Sequence, residues 1–564
     1  PDTPAGRAGV DETMCARFAE VCALAERYGL RLIVGLLTGW MSGRLYVPRA
    51  FEGRNVLTDP LAISWELRFV RYFVSRFRDE PAVAGWDLGN ECNCMGEIAD
   101  PAQAELWTQA VADAIRAADP EGTASGMRPV ISGMHGLVPE GMWKPAAHGE
   151  AVDVLTPHPY TLFVPYCDTD PLVSFKASMQ AAAQVTWYRG LGGRPAFAEE
   201  VGTLGPMMGG EREAAQYVNA VLWNLWAGGC HGFLWWCAAE QSHLTHAPYD
   251  WNTVERELGL FRLDGSPKPV ARTLTEFARA VREAGALPER ITDAVCVTTR
   301  GYDSWGAAWG AYLLARQAGL DIEFADGERP LPESRAYILP SLAGDGSLTR
   351  RAWYALFDRV MEGATLFMTL DTALLSPFTE AAGLRVHSRA RAVGDIAVTL
   401  PDTRERLSLS APFALGLVPA SARVLLADAA GNPVMTENAY GKGRVVLLTA
   451  PVERQAATVP GAPERMPLHR LYRMAVSPSP LRAAAQGDAL IAATEHVRDA
   501  DTRVLTLVNP TDAARRTQVR LSGTWKLRET LCATGAEPPA VRALPEGFAL
   551  TLGAGCGAAF TIRK

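Results

Sequence analysis

The chain has 564 residues, with 55 lysine and arginine residues against 62 aspartate and glutamate residues, and therefore a formal net charge of −7. Hydrophobic residues make up 48% and charged residues 21%, which is typical of packed globular proteins and excludes intrinsic disorder. The basic residues are scattered among acidic ones without a basic run, so we expect no nucleic-acid partner.

No apolar stretch reaches the roughly 18–20 residues that a membrane span needs, so we expect no membrane association. The chain begins at Pro1 without a signal-peptide pattern, which favours a cytoplasmic location without establishing it. The ten cysteines show no zinc spacing, and Cys92 and Cys94 are interpreted as buried free thiols. We therefore predict no metal and no cofactor.

Over residues 1–287, short apolar strands alternate with longer amphipathic helices. The strand candidates are Leu30–Leu37, Val83–Asn90, Pro129–Gly133, Val152–Pro157, Pro195–Glu200 and Gly229–Trp236. Repeated βα units predict an α/β fold with a parallel sheet and outer helices, here an eight-stranded (β/α)8 TIM barrel. Because only six strands are visible, we expect the first two to lie upstream of Pro1.

A second alternation predicts a smaller, doubly wound, flavodoxin-like α/β domain over residues 288–478. Its main elements are strands Ala294–Thr298, Asp321–Phe324, Arg335–Leu339 and Ala364–Thr369 and helices Ser304–Ala318 and Leu348–Met361. It has no GxGxxG motif after its first strand and no cysteine or serine elbow, so neither dinucleotide binding nor amidotransferase chemistry is indicated. Gly441-Lys442-Gly443 is interpreted as a hairpin turn, not as a phosphate loop.

Residues 479–564 follow a proline-punctuated linker, Ser477-Pro478-Ser479-Pro480, and differ from both earlier regions. Short alternating apolar runs separated by turn residues predict a small antiparallel β-sandwich. The chain is therefore predicted to contain three domains.

Acidic residues stand where two of the predicted barrel strands end. One strand ends in Asn90-Glu91 and another in Glu199-Glu200. Functional side chains of parallel βα barrels lie at these carboxyl ends, and two converging carboxylates are what glycoside hydrolysis requires. One protonates the leaving oxygen, while the other attacks or assists at the anomeric carbon. Either carboxylate alone is equally compatible with capping the helix that follows its strand.

Aromatic residues and a histidine occur at other strand ends. Trp40 follows the first visible strand, His158 and Tyr160 end another, and Trp236 ends the last. The apolar faces of pyranose rings stack on indole rings while the sugar rim accepts hydrogen bonds. This set therefore favours a sugar-binding cleft over ordinary core packing.

The segment GWDLGNE, which ends at Glu91, resembles the fourth strand of the clan A retaining barrel glycosidases, whose hallmark is an Asn-Glu pair. The closest likeness is to the β-mannanases and β-mannosidases of glycoside hydrolase family 5. Other segments that agree are DVLTPHPY, RPAFAEEVGT, GFLWW and the Asp59-Pro60 pair. The likeness covers the barrel region, about half of the chain.

The resemblance implies a role for each matching residue. Glu91 would be the general acid/base and Glu200 the nucleophile; the substrate would be bound by Trp40, Asn90, His158, Tyr160 and Trp236. Within that set, Asn90 would bind the sugar 2-hydroxyl and Tyr160 would hydrogen-bond Glu200. Strict strand alternation cannot send both Asn90 and Glu91 into the cleft, so we expect a bulge or irregular strand end there.

Two departures from the family pattern concern the nucleophile. Glu200 precedes Val201 where the family has an aromatic residue, and Glu199 competes with Glu200 for the role. If Ala198 and Glu200 face inward, Glu199 faces the helices as a salt-bridge or capping residue. The arginine that this clan carries on its second strand has no counterpart in the chain.

Residues 288–564 resemble the trimerisation and C-terminal domains of family 42 β-galactosidases, with NAYGKGRVVLLTA as the cue. This likeness implies a homo-oligomer, a dimer or trimer, formed through the middle domain, and exo action on short substrates. The function predicted is retaining hydrolysis of β-mannosidic bonds in oligo- or polysaccharides, as an exo-β-mannosidase or β-1,4-mannanase. The alternatives are a β-galactosidase or β-glucosidase of the same clan, and a non-catalytic carbohydrate-binding protein with a degenerate barrel.

Overall fold

A computed structural model of the protein describes residues 3–230, 232–247, 249–250, 254–301, 303–375, 378–535 and 539–564. The chain forms two compact units. The first comprises the residues up to His158 with Leu191–Gly202 and Gly232–Gly259; the second comprises Pro159–Gly190, Thr203–His231 and Leu260–Lys564. None of the helices in the described ranges is long and apolar enough to cross a membrane.

The first unit contains a parallel sheet with helices. Its strands are β1 (Leu32–Leu37), β2 (Trp40–Met41), β3 (Arg44–Leu45), β4 (Val83–Gly89), β5 (Val130–Ile131), β6 (Ala198–Val201) and β7 (Phe233–Trp235). Its α-helices are α1 (Pro4–Arg7), α2 (Glu12–Tyr28), α3 (Pro60–Phe77), α4 (Pro101–Ala118), α5 (Pro120–Ala124) and α6 (Pro145–Ala151). Short 3-10 helices are Arg49–Phe51, Cys92–Cys94 and Val254–Glu257.

Parallel pairing links six segments of the first unit in chain order. Strand β1 pairs with β4, and β4 pairs with β5. Single bridges, from Ile131 to Val154 and from Leu155 to Ala196, continue the series, and β6 pairs with β7. The strand predicted over 152–157 is thus reduced to two bridges. In the described chain no strand pairs with the other edge of β1, and the eight-stranded barrel stays a prediction.

The three Asp-Pro pairs of the first unit each begin a helix. Asp59, Asp100 and Asp119 precede α3, α4 and α5, and each aspartate side chain accepts a hydrogen bond from a backbone N–H of the first turn. Proline at the first helical position costs no hydrogen bond, because that N–H has no partner within the helix. Local sequence therefore determines where these helices start.

Asp119 also joins a strand to a helix in the core of the first unit. Its buried carboxylate accepts hydrogen bonds from Trp86 Nε1 (2.9 Å), Arg128 Nη2 (2.9 Å) and the Gly122 N–H (3.0 Å). Burial acts to raise the pKa of Asp119, but the hydrogen bonds, led by that from Arg128, outweigh it and lower the pKa below its ordinary value.

Replacement of Asp119 by alanine is expected to lower the free energy of unfolding by about 3–5 kcal/mol at pH 7, because it removes the hydrogen bonds of Trp86 and Gly122 together with the buried ionic partner of the half-buried Arg128 guanidinium. The lowered pKa means that the carboxylate contributes fully above the ordinary aspartate value and loses its contribution as the pH falls through the native value. Urea unfolding of both proteins at pH 7 and pH 3, followed by tryptophan fluorescence, measures this. A difference below about 1 kcal/mol at pH 7 would contradict the assignment.

The second unit contains the remaining elements. Its α-helices are α7 (Phe175–Gly192, whose last two residues belong to the first unit), α8 (Glu211–Ala227), α9 (Pro269–Ala284), α10 (Ser304–Ala318), α11 (Arg350–Glu362), α12 (Phe378–Ala382), α13 (Val452–Thr458), α14 (Ala462–Arg465) and α15 (His469–Ala475). Its strands up to residue 448 are β8 (Glu289–Arg290), β9 (Ala294–Thr298), β10 (Ile322–Asp326), β11 (Ala336–Leu342), β12 (Thr365–Leu370), β13 (Leu384–Arg391), β14 (Ile396–Thr399), β15 (Arg406–Leu409), β16 (Phe413–Pro419), β17 (Arg423–Ala427), β18 (Pro433–Tyr440) and β19 (Gly443–Leu448). The last strands are β20 (Ala484–Gln486), β21 (Ala492–Val497), β22 (Thr502–Val508), β23 (Arg515–Leu521), β24 (Lys526–Ala533), β25 (Ala540–Leu544), β26 (Gly547–Leu552) and β27 (Gly557–Arg563).

A seven-stranded sheet with the order β10-β9-β11-β12-β19-β18-β17 forms the first part of the second unit. Its first five strands are parallel and, numbered along the chain, follow the order 2-1-3-4-5 that flavodoxin-like sheets have. Tyr440 pairs with Gly443 across a two-residue connection, which confirms the hairpin turn predicted there.

Two antiparallel sheets follow, with the orders β20-β23-β26-β25 and β24-β27-β22-β21-β8. Their apolar faces share one buried cluster that includes Phe548, Phe560 and Ile562. Strand β8, which the sequence pattern did not indicate, joins the second sheet from just over 200 residues upstream of its neighbour β21. Asp293 binds the linker region by accepting hydrogen bonds from the Ser479 N–H and the Arg482 guanidinium.

Candidate active site

The polar residues predicted from the sequence meet at the carboxyl ends of the parallel strands of the first unit. Glu91 follows β4, His158 follows the bridge segment at 154–155, and Glu200 belongs to β6. Because carboxyl ends of neighbouring parallel strands lie at one edge of a sheet, residues far apart in the chain come together here.

The end of β4 is irregular, as expected from the adjacent Asn90 and Glu91. Gly89 has a φ of +154°, and a Cβ there would lie 1.9 Å from the Leu37 carbonyl oxygen, so only glycine fits. Glu91 itself has a φ of +46°, in the left-handed region. The side chain of Asn90 donates a hydrogen bond to the Trp40 carbonyl oxygen (2.9 Å). The irregular backbone thus allows both Asn90 and Glu91 to lie at the same edge of the sheet.

His158 connects the two carboxylates that were predicted to act together. Its Nδ1 lies 3.0 Å from Glu91 Oε1 and 3.5 Å from Glu200 Oε2, and its side chain is 2% exposed. Since both oxygens lie at these distances from one nitrogen, they are at most about 6.5 Å apart. The side chains of the two glutamates are each 17% exposed, so solvent still reaches them.

Glu199 also faces His158, and the prediction that it would point away from the site is wrong. Its Oε2 lies 3.5 Å from His158 Nε2, and its side chain is only 9% exposed. The register between β6 and β7 shifts between Ala198 and Val201, and these two residues are buried while Glu199 and Glu200 are both half-buried. Strand alternation therefore fails over this stretch.

The carboxylates determine the ionisation of His158. Burial by itself lowers the pKa of His158, but the surrounding carboxylates, Glu200 most strongly, outweigh it and raise the pKa well above its usual value. Burial acts to raise the pKa of Glu91, but the hydrogen bond and charge of His158 lower it. Burial, reinforced by the Glu199 charge, raises the pKa of Asp87 beneath the site well above its usual value.

His135 is a site residue that the sequence reasoning missed. Its Nδ1 lies 3.6 Å from Glu91 Oε1, and its ring centroid is 6.4 Å from that of His158. The Asn93 side chain fixes the backbone there by accepting a hydrogen bond from the His135 N–H (3.0 Å). Burial lowers the pKa of His135. Its place just beyond the predicted strand 129–133 is the signal that could have identified it.

The predicted aromatic residues differ in what surrounds them. Trp40 lies in the hairpin of β2 and β3, and its side chain also hydrogen-bonds Glu91. Trp236 Nε1 donates a hydrogen bond to Glu255 Oε2 (2.7 Å), a buried carboxylate that the sequence did not single out. Tyr160 is buried in the second unit, where its carbonyl oxygen accepts a hydrogen bond from Gln180. Its contact with Glu200 stays a prediction.

A cluster with metal-compatible spacing lies within the site. Glu91, His135 and His158 each offer one ligand atom, and these atoms lie within 4.8 Å of one another. The hydrogen bond from His158 to Glu91 accounts for the closest of these approaches without an ion. We assign the cluster to hydrogen bonding. The statement that the site needs no metal stays a prediction.

Comparisons with known proteins show what the chain is similar to. No family model matches the chain. A probable mannan endo-1,4-β-mannosidase F of Aspergillus flavus is 31% identical over 108 residues, which are 18% of this chain and 23% of that protein. The chain therefore spans less than a quarter of the length of the curated relative that it matches.

Several solved structures, including the following two, are similar over most of the chain. The exo-β-1,4-mannosidase Op5Man5 from Opitutaceae bacterium strain TAV5 has a TM-score of 0.71 at 21% identity and covers 83% of this chain and 87% of its own. Gan42B, a family 42 β-galactosidase from G. stearothermophilus, has a TM-score of 0.63 at 13% identity. The match covers 96% of this chain and 86% of the Gan42B chain. These findings confirm the predicted resemblance to clan A glycoside hydrolases of families 5 and 42.

Proposed function

We propose that the protein is a retaining β-glycosidase that hydrolyses β-mannosidic bonds, acting as an exo-β-mannosidase or a β-1,4-mannanase. The observation that carries this proposal is the convergence of Glu91 and Glu200 on one nitrogen of His158. The likeness to a mannan endo-mannosidase and to an exo-mannosidase supports mannose as the sugar.

The separation of the carboxylates supports retention of anomeric configuration. Retaining glycosidases have carboxyl groups roughly 5–5.5 Å apart, whereas inverting enzymes need about 6.5–9.5 Å to admit a water molecule. The upper limit of about 6.5 Å between Glu91 Oε1 and Glu200 Oε2 falls at the lower edge of the inverting range. Direct attack by one carboxylate therefore fits this site better than attack by an interposed water.

In the first step, a Glu200 oxygen forms a bond to the anomeric carbon while Glu91 transfers its proton to the departing glycosidic oxygen. In the second step, Glu91 removes a proton from water, which attacks the same carbon and releases Glu200. Asn90, Trp40 and Trp236 would hold the sugar, with Glu255 orienting the Trp236 indole. Tyr160 would hydrogen-bond Glu200.

A panel of nitrophenyl glycosides tests the proposal. We expect the β-mannoside to give the highest kcat/KM and the product to keep the β configuration when proton NMR follows the reaction. Preference for the β-galactoside would favour the second candidate, a β-galactosidase, which the likeness to Gan42B over 96% of the chain supports. Binding of manno-oligosaccharides without any turnover would overturn both and favour a non-catalytic carbohydrate-binding protein.

We also propose that residues 1–287 form a TIM-barrel domain, 288–478 a flavodoxin-like domain and 479–564 a β-sandwich. The order 2-1-3-4-5 of the parallel strands supports the second of these. The sequence resemblance of residues 288–564 to the trimerisation and C-terminal domains of family 42 enzymes implies a homo-oligomer formed through the middle domain. Light scattering coupled to size-exclusion chromatography tests the association, for which we expect a dimer or trimer.

Dialysis against EDTA is expected to leave kcat/KM within about twofold of the untreated value, because double displacement needs only carboxylate attack and proton transfer. Hydrolysis of the preferred nitrophenyl glycoside before and after dialysis measures this. Loss of activity that a divalent ion restores would instead assign a metal to Glu91, His135 and His158.

A further inference from the structure

The contact between Glu199 and His158 is the least explained feature of the site. His158 Nε2 and Glu199 Oε2 lie 3.5 Å apart, and both atoms are buried. Within the described ranges neither atom has a hydrogen-bond partner. Burial of a carboxylate oxygen is unfavourable unless a positive charge compensates it. A protonated His158 supplies that charge.

We propose that Glu199 is a positioning residue that, through His158, holds the proton needed by Glu91 for general acid catalysis. This inference rests on the proposed function, since it assigns a role to a third carboxylate within the same site. It assigns different roles to two adjacent glutamates. Glu200 faces Nδ1 of the imidazole, whereas Glu199 faces Nε2.

Five ionisable groups surround the His158 imidazole. They are Asp87 and Glu91 at the end of β4, His135 beyond β5, and Glu199 and Glu200 on β6. Asp87 has a pKa raised by burial, and His135 has a pKa lowered by burial, so both tend toward their neutral forms. The acidic groups within 3.5 Å of the ring nitrogens are therefore the three glutamates.

The hydrogen bond from His158 Nδ1 to Glu91 Oε1 makes these two residues share one proton. When the shared proton lies on Glu91, Glu91 can act as the general acid. When the His158–Glu91 pair loses this proton, the leaving oxygen is no longer protonated and the reaction stops. The pH at which the proton leaves is governed by the anions around the imidazole, because they favour its charged form. Removal of the Glu199 charge must therefore move this loss to lower pH.

The test compares the pH dependence of kcat/KM for wild-type protein and Glu199→Gln, with EDTA present and with the preferred nitrophenyl glycoside as substrate. We expect the alkaline limb to move down by about 1–2 pH units, as removing a unit charge 3.5 Å away requires. The maximal rate should stay within about tenfold of the wild-type value, because neither reacting carboxylate is changed. Glu199→Asp, which keeps the charge, should restore part of the shift.

Glu66→Gln is the matched control. Glu66 is another half-buried carboxylate of the first unit, and it accepts a hydrogen bond from Trp107 Nε1 (3.0 Å) rather than facing His158. We expect the alkaline limb of the kcat/KM profile of Glu66→Gln to coincide with that of the wild-type protein. An unshifted limb in Glu199→Gln, or an equal shift in Glu66→Gln, would overturn the proposal.

A second measurement does not depend on turnover. In protein labelled with nitrogen-15 histidine, the His158 resonances, assigned by their absence from His158→Asn, report the protonation of this imidazole directly. We expect Glu199→Gln to lower the His158 pKa by at least one unit, and an unchanged value would overturn the inference. A wild-type protein that hydrolyses no glycoside would refute the proposed function, while this titration would still decide the Glu199–His158 coupling.

Discussion

Glu200→Gly is expected to lower kcat/KM by about 10⁴-fold or more, and added azide is expected to restore turnover with an α-glycosyl azide as product. Without the carboxylate, no covalent intermediate forms, because Glu200 is the nucleophile of the proposed mechanism. Azide is small enough to enter the space that the side chain leaves. It attacks once, so the configuration at the anomeric carbon is inverted.

Rates of nitrophenyl glycoside hydrolysis with and without azide, with the product identified by proton NMR, measure this effect. Glu199→Gly is the matched control, since the two glutamates are adjacent on β6 and both lie 3.5 Å from a nitrogen of His158. Azide should not accelerate this variant. Rescue of Glu199→Gly, with none in Glu200→Gly, would exchange the proposed roles of the two residues.

Glu91→Ala is expected to produce a loss that depends on the leaving group. For a manno-oligosaccharide, whose departing oxygen needs a proton, kcat/KM should fall by about 10³-fold or more. For a dinitrophenyl glycoside, whose phenolate leaves without one, formation of the glycosyl-enzyme should be nearly unimpaired. Azide should then release a β-glycosyl azide, because its attack on the covalent intermediate is the second inversion.

The two substrates are compared for Glu91→Ala, the wild-type protein and Glu66→Gln, which changes a carboxylate with no contact to the reacting groups. The alkaline limb of the pH profile should also disappear in Glu91→Ala, because the proton shared with His158 is no longer used. Equal losses for both substrates would contradict the role of general acid/base and assign Glu91 to substrate binding.

His158 explains why these predictions are coupled. One imidazole contacts all three glutamates, at 3.0 Å for Glu91 and at 3.5 Å for Glu199 and Glu200. Because it is fully buried, its charge acts on them with little screening by solvent. A change at any one of these glutamates is therefore expected to alter the ionisation of the others, so their effects should not be additive.

Much of the candidate site could be predicted from local sequence. The βα alternation and the polar residues at strand ends identified Glu91, His158 and Glu200, and the structure brings these three together. Helix starts at Asp-Pro pairs such as Asp59-Pro60 are also encoded locally, because their capping geometry involves only neighbouring residues. The bend at Glu91 followed from two polar residues that strand alternation could not place on one side.

The residues that were missed or misplaced depend on contacts between distant segments. Glu199 turns toward His158 because β6 shifts its register against β7, about 35 residues further along the chain. His135 approaches Glu91 through a loop held by Asn93, and Glu255 reaches the Trp236 indole from the short 3-10 helix Val254–Glu257.

The composition of the 564-residue chain argued against disorder and predicted no nucleic-acid partner, and its periodicity indicated strands, helices and their ends. Those features are local, since hydrophobic spacing and capping involve residues a few positions apart. The direction of a side chain at an irregular strand end, and the ionisation of a buried imidazole, are instead determined by groups from several strands. Only the tertiary structure brings those groups within a few ångströms of one another, where burial strengthens the effect of their charges on the pKa of the imidazole.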